Sequence, residues 1–304
     1  MKLFICGNGF DLHHGLPTSY DHYAKYLKEH HPSIFKEYND FPYLHIPYVA
    51  GKTITPWSNI ENSLTINYQD LMEDSVQQDY PDLLSDSDSR WSDMEVNIGI
   101  LTAFIESFTG ACFYEWLSQI DCSNATPDLD LPKSALYVSF NYTDTLQSLY
   151  GIDDKNVFHI HGALKHLVGT DINSDVIRDE IQFGSSELDT TIIHEELEHQ
   201  FGDDDFYGAS IEPAVNTLGV FIQKASKDLA QNYEPLKEFI ADKDITEIVT
   251  MGHTLTEADF AYYRDVLIPN LPKVKWVFFH HNSTADIDRF LSLTGIQDYE
   301  IAKW

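Results

Sequence analysis

Two side chains that can do acid–base or polar chemistry directly follow short apolar runs in this sequence. Asn141 lies in S-F-N-Y-T-D after A-L-Y-V-S-F, and His161 lies in H-I-H-G after N-V-F-H-I. An amide can hold hydroxyl groups or orient a water molecule, and a histidine that titrates near neutrality can take a proton from either. Taken singly, each residue also has a structural explanation: Asn141 as a turn or helix-cap residue, and His161 as a structural histidine at a strand end.

A third stretch, G-N-G-F-D-L-H-H-G-L-P-T-S-Y, begins at Gly7 and directly follows the first apolar run. Glycines there let the backbone turn tightly and approach a ligand, and a helix that begins there offers free N–H groups to a phosphate. Gly7 and Gly9 fit this role. Gly15 comes too late for the third glycine of an ordinary dinucleotide fingerprint, so the glycines alone do not specify a nucleotide.

The elements that must position these residues are five short runs rich in β-branched and aromatic residues. Their continuous apolarity is typical of strands buried on both faces of a parallel sheet. Since ligands bind at the carboxyl edge of such sheets, we expect Gly7, Asn141, His161 and Gly252 to converge at one edge. The predicted strands are Lys2 to Cys6, Ala135 to Phe140, Asn156 to Ile160, Thr246 to Met251 and Lys275 to His280.

The sequence predicts a single α/β domain over residues 1–304 with two helical additions. Helix-compatible apolar spacing predicts a helical insertion over 21–130 and a second helical block over 190–242. The acidic, serine-rich segment 79–90 is predicted to be an exposed loop. With 43% hydrophobic residues, the chain can bury a substantial core.

The charge balance argues against direct binding of DNA or RNA. The chain has 49 acidic and 19 basic residues, a net charge of −30, which repels phosphate backbones. No uninterrupted apolar run approaches the roughly 20 residues of a membrane span and no signal peptide is evident, so a cytoplasmic protein without membrane contact is expected. The three cysteines form no C-x-x-C pair, and no metal is expected.

Four turns, taken together, resemble sirtuin motifs in the same order. Gly7, Gly9, Gly15 and Pro17 match the glycines and proline of the sirtuin loop G-A-G-I-S-x-x-x-G-I-P-D-F-R. The segment S-F-N-Y-T-D resembles T-Q-N-I-D, H-I-H-G resembles the histidine-glycine motif, and G-H-T-L-T resembles G-T-S-L. The resemblance implies a sirtuin-like Rossmann parallel sheet flanked by helices, with large helical insertions.

The chain more closely resembles the bacteriophage abortive-infection AbiH family. Members of that family carry G-N-G-F-D-x-x-x-G-L-P-T-x-Y, W-x-x-x-E, S-F-N-Y-T, I-H-G and a late G-H-S-L. The corresponding stretches here begin at Gly7, Trp57, Ser139, Ile160 and Gly252 and span nearly the whole chain. For Trp57 and Glu61 we favour packing and capping in the helical layer over a position above the pocket.

These resemblances imply an antiphage effector that hydrolyses NAD to nicotinamide and ADP-ribose, since NAD depletion stops an infected cell. The implied catalytic residues are Asn141, His161 and Asp144. The implied nucleotide-binding residues are Gly7, Asn8, Gly9, Phe10, Asp11, Gly15, Pro17, Gly252, His253 and Thr254.

The chain departs from the sirtuin pattern at two positions. Asp11 replaces the loop serine, and Thr143 replaces the aspartate of N-I-D, with Asp144 one place later. Sirtuin deacetylases also carry a cysteine-bound zinc module that this chain cannot build, which disfavours protein deacetylation. The alternative to NAD hydrolysis is a catalytically silent nucleotide sensor that signals to a defence partner protein or to a homo-oligomer.

Overall fold

A computed structural model describes residues 1–46, 55–80, 89–167, 174–204, 207–255, 257–281 and 283–304. Most of the predicted loop 79–90 lies outside these residues. The described strands form one parallel sheet in the order β3-β2-β1-β4-β5-β6. They are β1 Lys2–Cys6, β2 Leu136–Ser139, β3 Val157–His159, β4 Glu247–Met251, β5 Lys275–His280 and β6 Tyr299–Lys303. The predicted α/β class is confirmed, and β6 is an additional strand that the sequence did not predict.

Strand β1 shows why the apolar runs are continuous. Its side chains alternate between the two faces of the sheet: Leu3 and Ile5 enter one core, and Phe4 and Cys6 enter the other. Helices cover both faces, so neither set of side chains can be polar.

The α-helices connect the strands and build the remainder of the chain. They are α1 Asn8–His13, α2 Tyr20–His30, α3 Pro32–Asp40, α4 Ile60–Ser63, α5 Tyr68–Asp79, α6 Asp93–Thr102, α7 Phe104–Glu106, α8 Cys112–Leu117, α9 Thr145–Tyr150, α10 Ser174–Glu180, α11 Thr190–Phe201, α12 Glu212–Ala225, α13 Tyr233–Ile240, α14 Glu257–Ala261, α15 Ile268–Asn270 and α16 Ala285–Thr294. Stretches of π-helix occupy Ser107–Ala111, Tyr207–Ile211 and Tyr262–Leu267.

The chain divides into two compact units. The first contains the sheet and comprises Met1–Tyr23, Tyr114–Gln182 and Asp228–Trp304. The second comprises Ala24–Phe113 and Phe183–Lys227, two stretches that overlap the predicted helical blocks 21–130 and 190–242. The single-domain organisation stays a prediction.

The second unit is helical in its described residues and has an aromatic core. Phe113 stacks on Phe183 with ring centroids 3.9 Å apart. Trp57 Nε1 donates a hydrogen bond to Asn39 Oδ1 at 3.0 Å. Glu61 Oε2 accepts one from Lys227 Nζ at 2.8 Å, in an ion pair whose lysine side chain is fully buried. Both ends of the W-x-x-x-E motif therefore have packing contacts within this unit.

One described helical stretch, Asp93–Leu117, is long and apolar enough to cross a membrane by length and composition alone. Its most apolar window has a mean hydropathy of 1.4, and half of that window is buried inside the structure. The window contains scattered polar residues, which is why no uninterrupted apolar run marks it in the sequence. A core helix of a soluble protein has the same pattern.

Candidate functional site

The carboxyl ends of four neighbouring strands bring the predicted residues to one edge of the sheet. In the register, Cys6 lies opposite both Ser139 and Met251, and Ser139 lies opposite His159. The residues that follow these strand ends therefore converge, as predicted. The strand order of this parallel sheet reverses between β1 and β4, the position where doubly wound sheets open a ligand crevice.

The glycines at this edge allow two loops to pack on each other. A Cβ atom on Gly9 would lie 2.7 Å from the Cα of Gly252, and one on Gly7 would lie 2.6 Å from the Cα of His253. Gly9 N–H donates to the Gly252 carbonyl at 2.8 Å, and Gly252 itself has φ +63°. Loop packing therefore accounts by itself for the glycine at position 9, since backbone atoms of the second loop fill the space beside it, and ligand binding there stays a prediction.

The side chain of Phe10 is 1% exposed and packs in a core cluster on one face of the sheet, so only its backbone could contact a ligand without rearrangement. Gly15, with φ +75° and open space around it, ends helix α1 through a hydrogen bond from its N–H to Leu12 O. The end of the helix requires a left-handed residue here, so Gly15 is explained even if no ligand binds. Asn8, Pro17 and Thr254 are exposed.

Asn141 ties the end of β2 to the loop after β1. Its Nδ2–H donates to the Gly7 carbonyl at 3.0 Å, and its side chain is largely buried. Ser139 Oγ accepts its backbone N–H at 3.2 Å, which fixes the turn. The backbone carbonyl of Asn141 accepts the Nδ1–H of His159 at 3.0 Å. Burial lowers the pKa of His159 to about 4, so this histidine is neutral and structural.

Asp11 is a buried carboxylate, 1% exposed, at the end of a chain of hydroxyl groups. Thr143 Oγ1–H donates to Asp11 Oδ2 at 2.5 Å, and Thr145 Oγ1–H donates to Thr143 Oγ1 at 3.0 Å. Asp11 Oδ1 has no hydrogen-bond partner among the described residues. Burial raises the pKa of Asp11 to about 6, and the neighbouring Thr143, Thr145 and Asn141 side chains oppose that increase in part.

His161 faces a carboxylate that the sequence analysis did not identify. Its Nε2 lies 3.0 Å from Asp259 Oδ1, and Asp259 Oδ2 lies 3.4 Å from His253 Nε2. Both imidazole side chains are 3% exposed, and Asp259 is 14% exposed. One aspartate on the short helix α14 therefore bridges two histidines that follow different strands.

Aromatic rings surround the two histidines. The Phe140 ring centroid lies 4.1 Å from that of His253 and 5.5 Å from that of His161. The Tyr263 hydroxyl lies 3.2 Å from His253 Nδ1. Burial, followed by the Asp259 charge, raises the pKa of Tyr263 well above its usual value, so this hydroxyl keeps its proton. These apolar surroundings strengthen the electrostatic interactions inside the cluster.

Asp144 lies where helix α9 begins, and its backbone carbonyl accepts the N–H of Ser148 at 2.8 Å. Its carboxylate accepts a hydrogen bond from the Ser148 hydroxyl. The Asp144 charge contributes to the raised pKa of Asp11, so the two carboxylates are electrostatic neighbours. Asp144 is therefore near the cluster, while its own contacts are those of a residue at a helix start.

Comparison with protein families gives a match over most of the chain. The family model of bacteriophage abortive infection AbiH matches residues 3–280, most of the chain. The chain belongs to the AbiH family. This family implies a role in bacteriophage abortive infection. Comparisons with curated proteins and with solved structures give no match.

The described residues of this AbiH-family chain contain no group of three histidine, cysteine or carboxylate side chains that could hold a metal ion. They do bring together an amide, a buried carboxylate and two histidines at one sheet edge. Such groups can hold hydroxyls, accept a proton and stabilise positive charge.

Asp259, Thr145 and Tyr263 belong to this cluster but were not among the predicted site residues. The late G-H-T-L motif ends at Leu255, and Asp259 follows only four residues later. This closeness to the motif was the sequence signal that could have identified Asp259. Thr145 comes two residues after the S-F-N-Y-T motif.

Proposed function

We propose that this AbiH-family chain hydrolyses NAD to nicotinamide and ADP-ribose during abortive infection. The observation that carries the proposal is the strand order, in which β1 and β4 are neighbours at the centre of a parallel sheet. Sheets of this order bind dinucleotides at the crevice where the order reverses. Asp11, Asn141 and His161 belong to the segments that follow β1, β2 and β3 at the carboxyl edge that carries this crevice.

The reaction needs groups that the cluster can supply. Cleavage of the bond between the nicotinamide nitrogen and the ribose carbon releases neutral nicotinamide and leaves positive charge on the ribose. Water then adds to that carbon and gives up a proton, so NAD and water yield nicotinamide, ADP-ribose and one proton. His161 is the proposed acceptor of the proton from water or from a ribose hydroxyl. Asn141 is the proposed group that orients the ribose.

Asp11 is the proposed stabiliser of the ribose. Its Oδ1 is buried and makes no hydrogen bond with the described residues, so it can accept one from a ribose hydroxyl. The two departures from the sirtuin pattern, Asp11 and Thr143, also contact each other. The sirtuin pattern has a hydroxyl where this chain has Asp11 and a carboxylate where it has Thr143. The two groups have therefore exchanged positions, and the site keeps one of each. This exchange supports a retained polar site.

One observation favours the alternative of a catalytically silent nucleotide sensor. Asn141 and His161 are 7% and 3% exposed, and each is hydrogen-bonded to a protein group. A protein that binds a nucleotide by rearranging these contacts would pass the change to a defence partner without any reaction. Binding of NAD without nicotinamide release would select this function.

The test is incubation of the purified chain with NAD, with nicotinamide release measured by chromatography. We expect release by the wild type and a decrease of about 10²-fold or more in His161→Gln, the usual effect of losing a positioned acid–base group. Gln is used because Ala would leave a cavity at this buried position.

His166→Gln is the matched control, because His166 follows the same strand, is 45% exposed and pairs with Glu180. We expect it to retain wild-type release. Wild-type turnover in folded His161→Gln protein would exclude His161 as the base. A wild-type chain that binds no NAD would refute the proposed function as a whole.

A further inference from the structure

The carboxylate of Asp259 is divided between two histidines. Its Oδ1 lies 3.0 Å from His161 Nε2, and its Oδ2 lies 3.4 Å from His253 Nε2. An ionised carboxylate can only accept hydrogen bonds. The hydrogen bond to Asp259 therefore requires a proton on His161 Nε2, and a proton on His253 Nε2 would face the other carboxylate oxygen in a 3.4 Å ion-pair contact.

The other side of His253 leads to the same assignment independently. The backbone N–H of Leu255 lies 3.1 Å from His253 Nδ1, and a backbone N–H can only donate. Nδ1 must therefore carry the lone pair, which leaves the proton of the neutral ring on Nε2. The Tyr263 hydroxyl can donate to the same Nδ1 atom. His253 is thus held in one tautomer from both sides.

The backbone that carries Asp259 is unusual in three places. Gly252 has φ +63° and Leu255 has φ +53°, a left-handed conformation that is rare for a branched residue. The π-helix Tyr262–Leu267 follows α14 directly and presents Tyr263 to His253. Left-handed non-glycine residues and π-helices are both concentrated at functional sites. This segment positions Asp259 and Tyr263 on the two histidines.

We propose that Asp259 is a positioning residue that holds His161 and His253 in the same tautomer, with the proton on Nε2. For His161 this leaves Nδ1 as the nitrogen that can take a proton. The tautomer assignment stands on the contacts alone, whereas its consequence for turnover rests on the proposed NAD hydrolysis. An asparagine cannot replace Asp259, because an amide has one accepting oxygen and would present an N–H group to the second histidine.

The test uses the full chain labelled with ¹⁵N-histidine, with His161→Gln and His253→Gln to assign the two rings by NMR. At about pH 8.5, where histidines of ordinary pKa are neutral, ¹⁵N shifts distinguish a proton on Nδ1 from one on Nε2. We expect the Nε2–H tautomer for both rings in the wild type. The Nδ1–H tautomer at either ring in the wild type would overturn the proposal.

In Asp259→Asn the amide oxygen can satisfy only one ring. Because Leu255 N–H still holds His253 in its tautomer, we expect His161 to switch to Nδ1–H while His253 is unchanged. The matched control is Asp265→Asn, which removes a carboxylate from the neighbouring π-helix, where Asp265 pairs with Arg264 on the surface. The control should leave both rings unchanged. An unchanged His161 tautomer in folded Asp259→Asn protein would overturn the proposal.

Turnover gives a second, separable measurement. If the wild type hydrolyses NAD, Asp259→Asn should lower kcat by about 10²-fold with little change in KM, as expected when a base is held in the wrong tautomer. A change in KM alone would contradict the assigned role. If the wild type shows no turnover, the proposed function fails, and the NMR result still decides the tautomer assignment.

Discussion

Burial of Asp11 makes a specific prediction about how stability depends on pH. Burial raises the pKa of Asp11 from an ordinary value of 3.8 to about 6 in the folded chain. Below both values the carboxyl is protonated in the folded and unfolded states and contributes nothing to the pH dependence. As the pH rises from 3.8 to about 6, the unfolded chain ionises first, so the folded state loses stability.

The size of this loss follows from the difference between the two pKa values. About two pKa units, at about 1.4 kcal/mol per unit, give roughly 3 kcal/mol, fully lost above about pH 7. About 2 kcal/mol of that loss falls between about pH 4.5 and about pH 7.5. Asp11→Asn removes the titration, and its amide oxygen still accepts the Thr143 hydroxyl. The variant should therefore gain stability relative to the wild type by about this amount over that pH range.

The measurement is equilibrium urea unfolding of wild type and Asp11→Asn at several pH values, since only the difference isolates one group from the many other carboxylates. Asp153→Asn is the control. The Lys155 side chain lowers the pKa of the exposed Asp153 from its ordinary value of 3.8, so the variant's stability relative to wild type should fall with pH only below about pH 5 and stay constant above it, where the Asp11 difference still grows. A difference between Asp11→Asn and wild type that stays constant with pH would refute the reasoning.

Two further predictions concern packing. Gly9→Ala places a Cβ against backbone atoms 2.7 Å away and should lower the thermal midpoint far more than Gly15→Ala, which has open space and costs about 1 kcal/mol for its left-handed φ. Equal midpoints for these two variants would contradict the loop packing. Lys227→Met leaves the Glu61 carboxylate without the buried lysine charge and should cost about 3 kcal/mol in urea unfolding, while adding Glu61→Gln should recover most of it. No recovery in the double variant would contradict the ion-pair argument.

The sequence predicts the centre of the sheet well because strands buried on both faces must be continuously apolar. Five neighbouring strands follow from that pattern, and the edge at which four of them bring the site residues together follows from the turns after them. Strand β6, Y-E-I-A-K, lies at the border of the sheet and is mostly exposed, so its composition carries no such pattern. An edge strand is recognised only when its neighbour is known.

The candidate site is predictable only where it depends on strand ends. Asn141 and His161 follow β2 and β3 directly, so the sheet positions them. The contact of Asp259 with His161 depends on the left-handed conformations of Gly252 and Leu255, and nothing in a leucine predicts φ +53°. The glycine loop suggests a ligand near Phe10, whereas the first turn of α1 directs this ring into the core, which the sequence alone does not indicate.

The packing of the two loops changes what a ligand at this edge would contact. The N–H groups of Gly7, Gly9 and Phe10 all donate to carbonyls within the protein. They are therefore occupied, whereas an ordinary dinucleotide loop offers such groups to the pyrophosphate. The ionised form of Asp11 would also repel phosphate. Under the proposed function, recognition at this edge would depend on the side chains of Asn141, His161 and Asp11, which suit a ribose and the nicotinamide bond more than a phosphate. The same side chains that would perform the reaction would therefore also select the substrate.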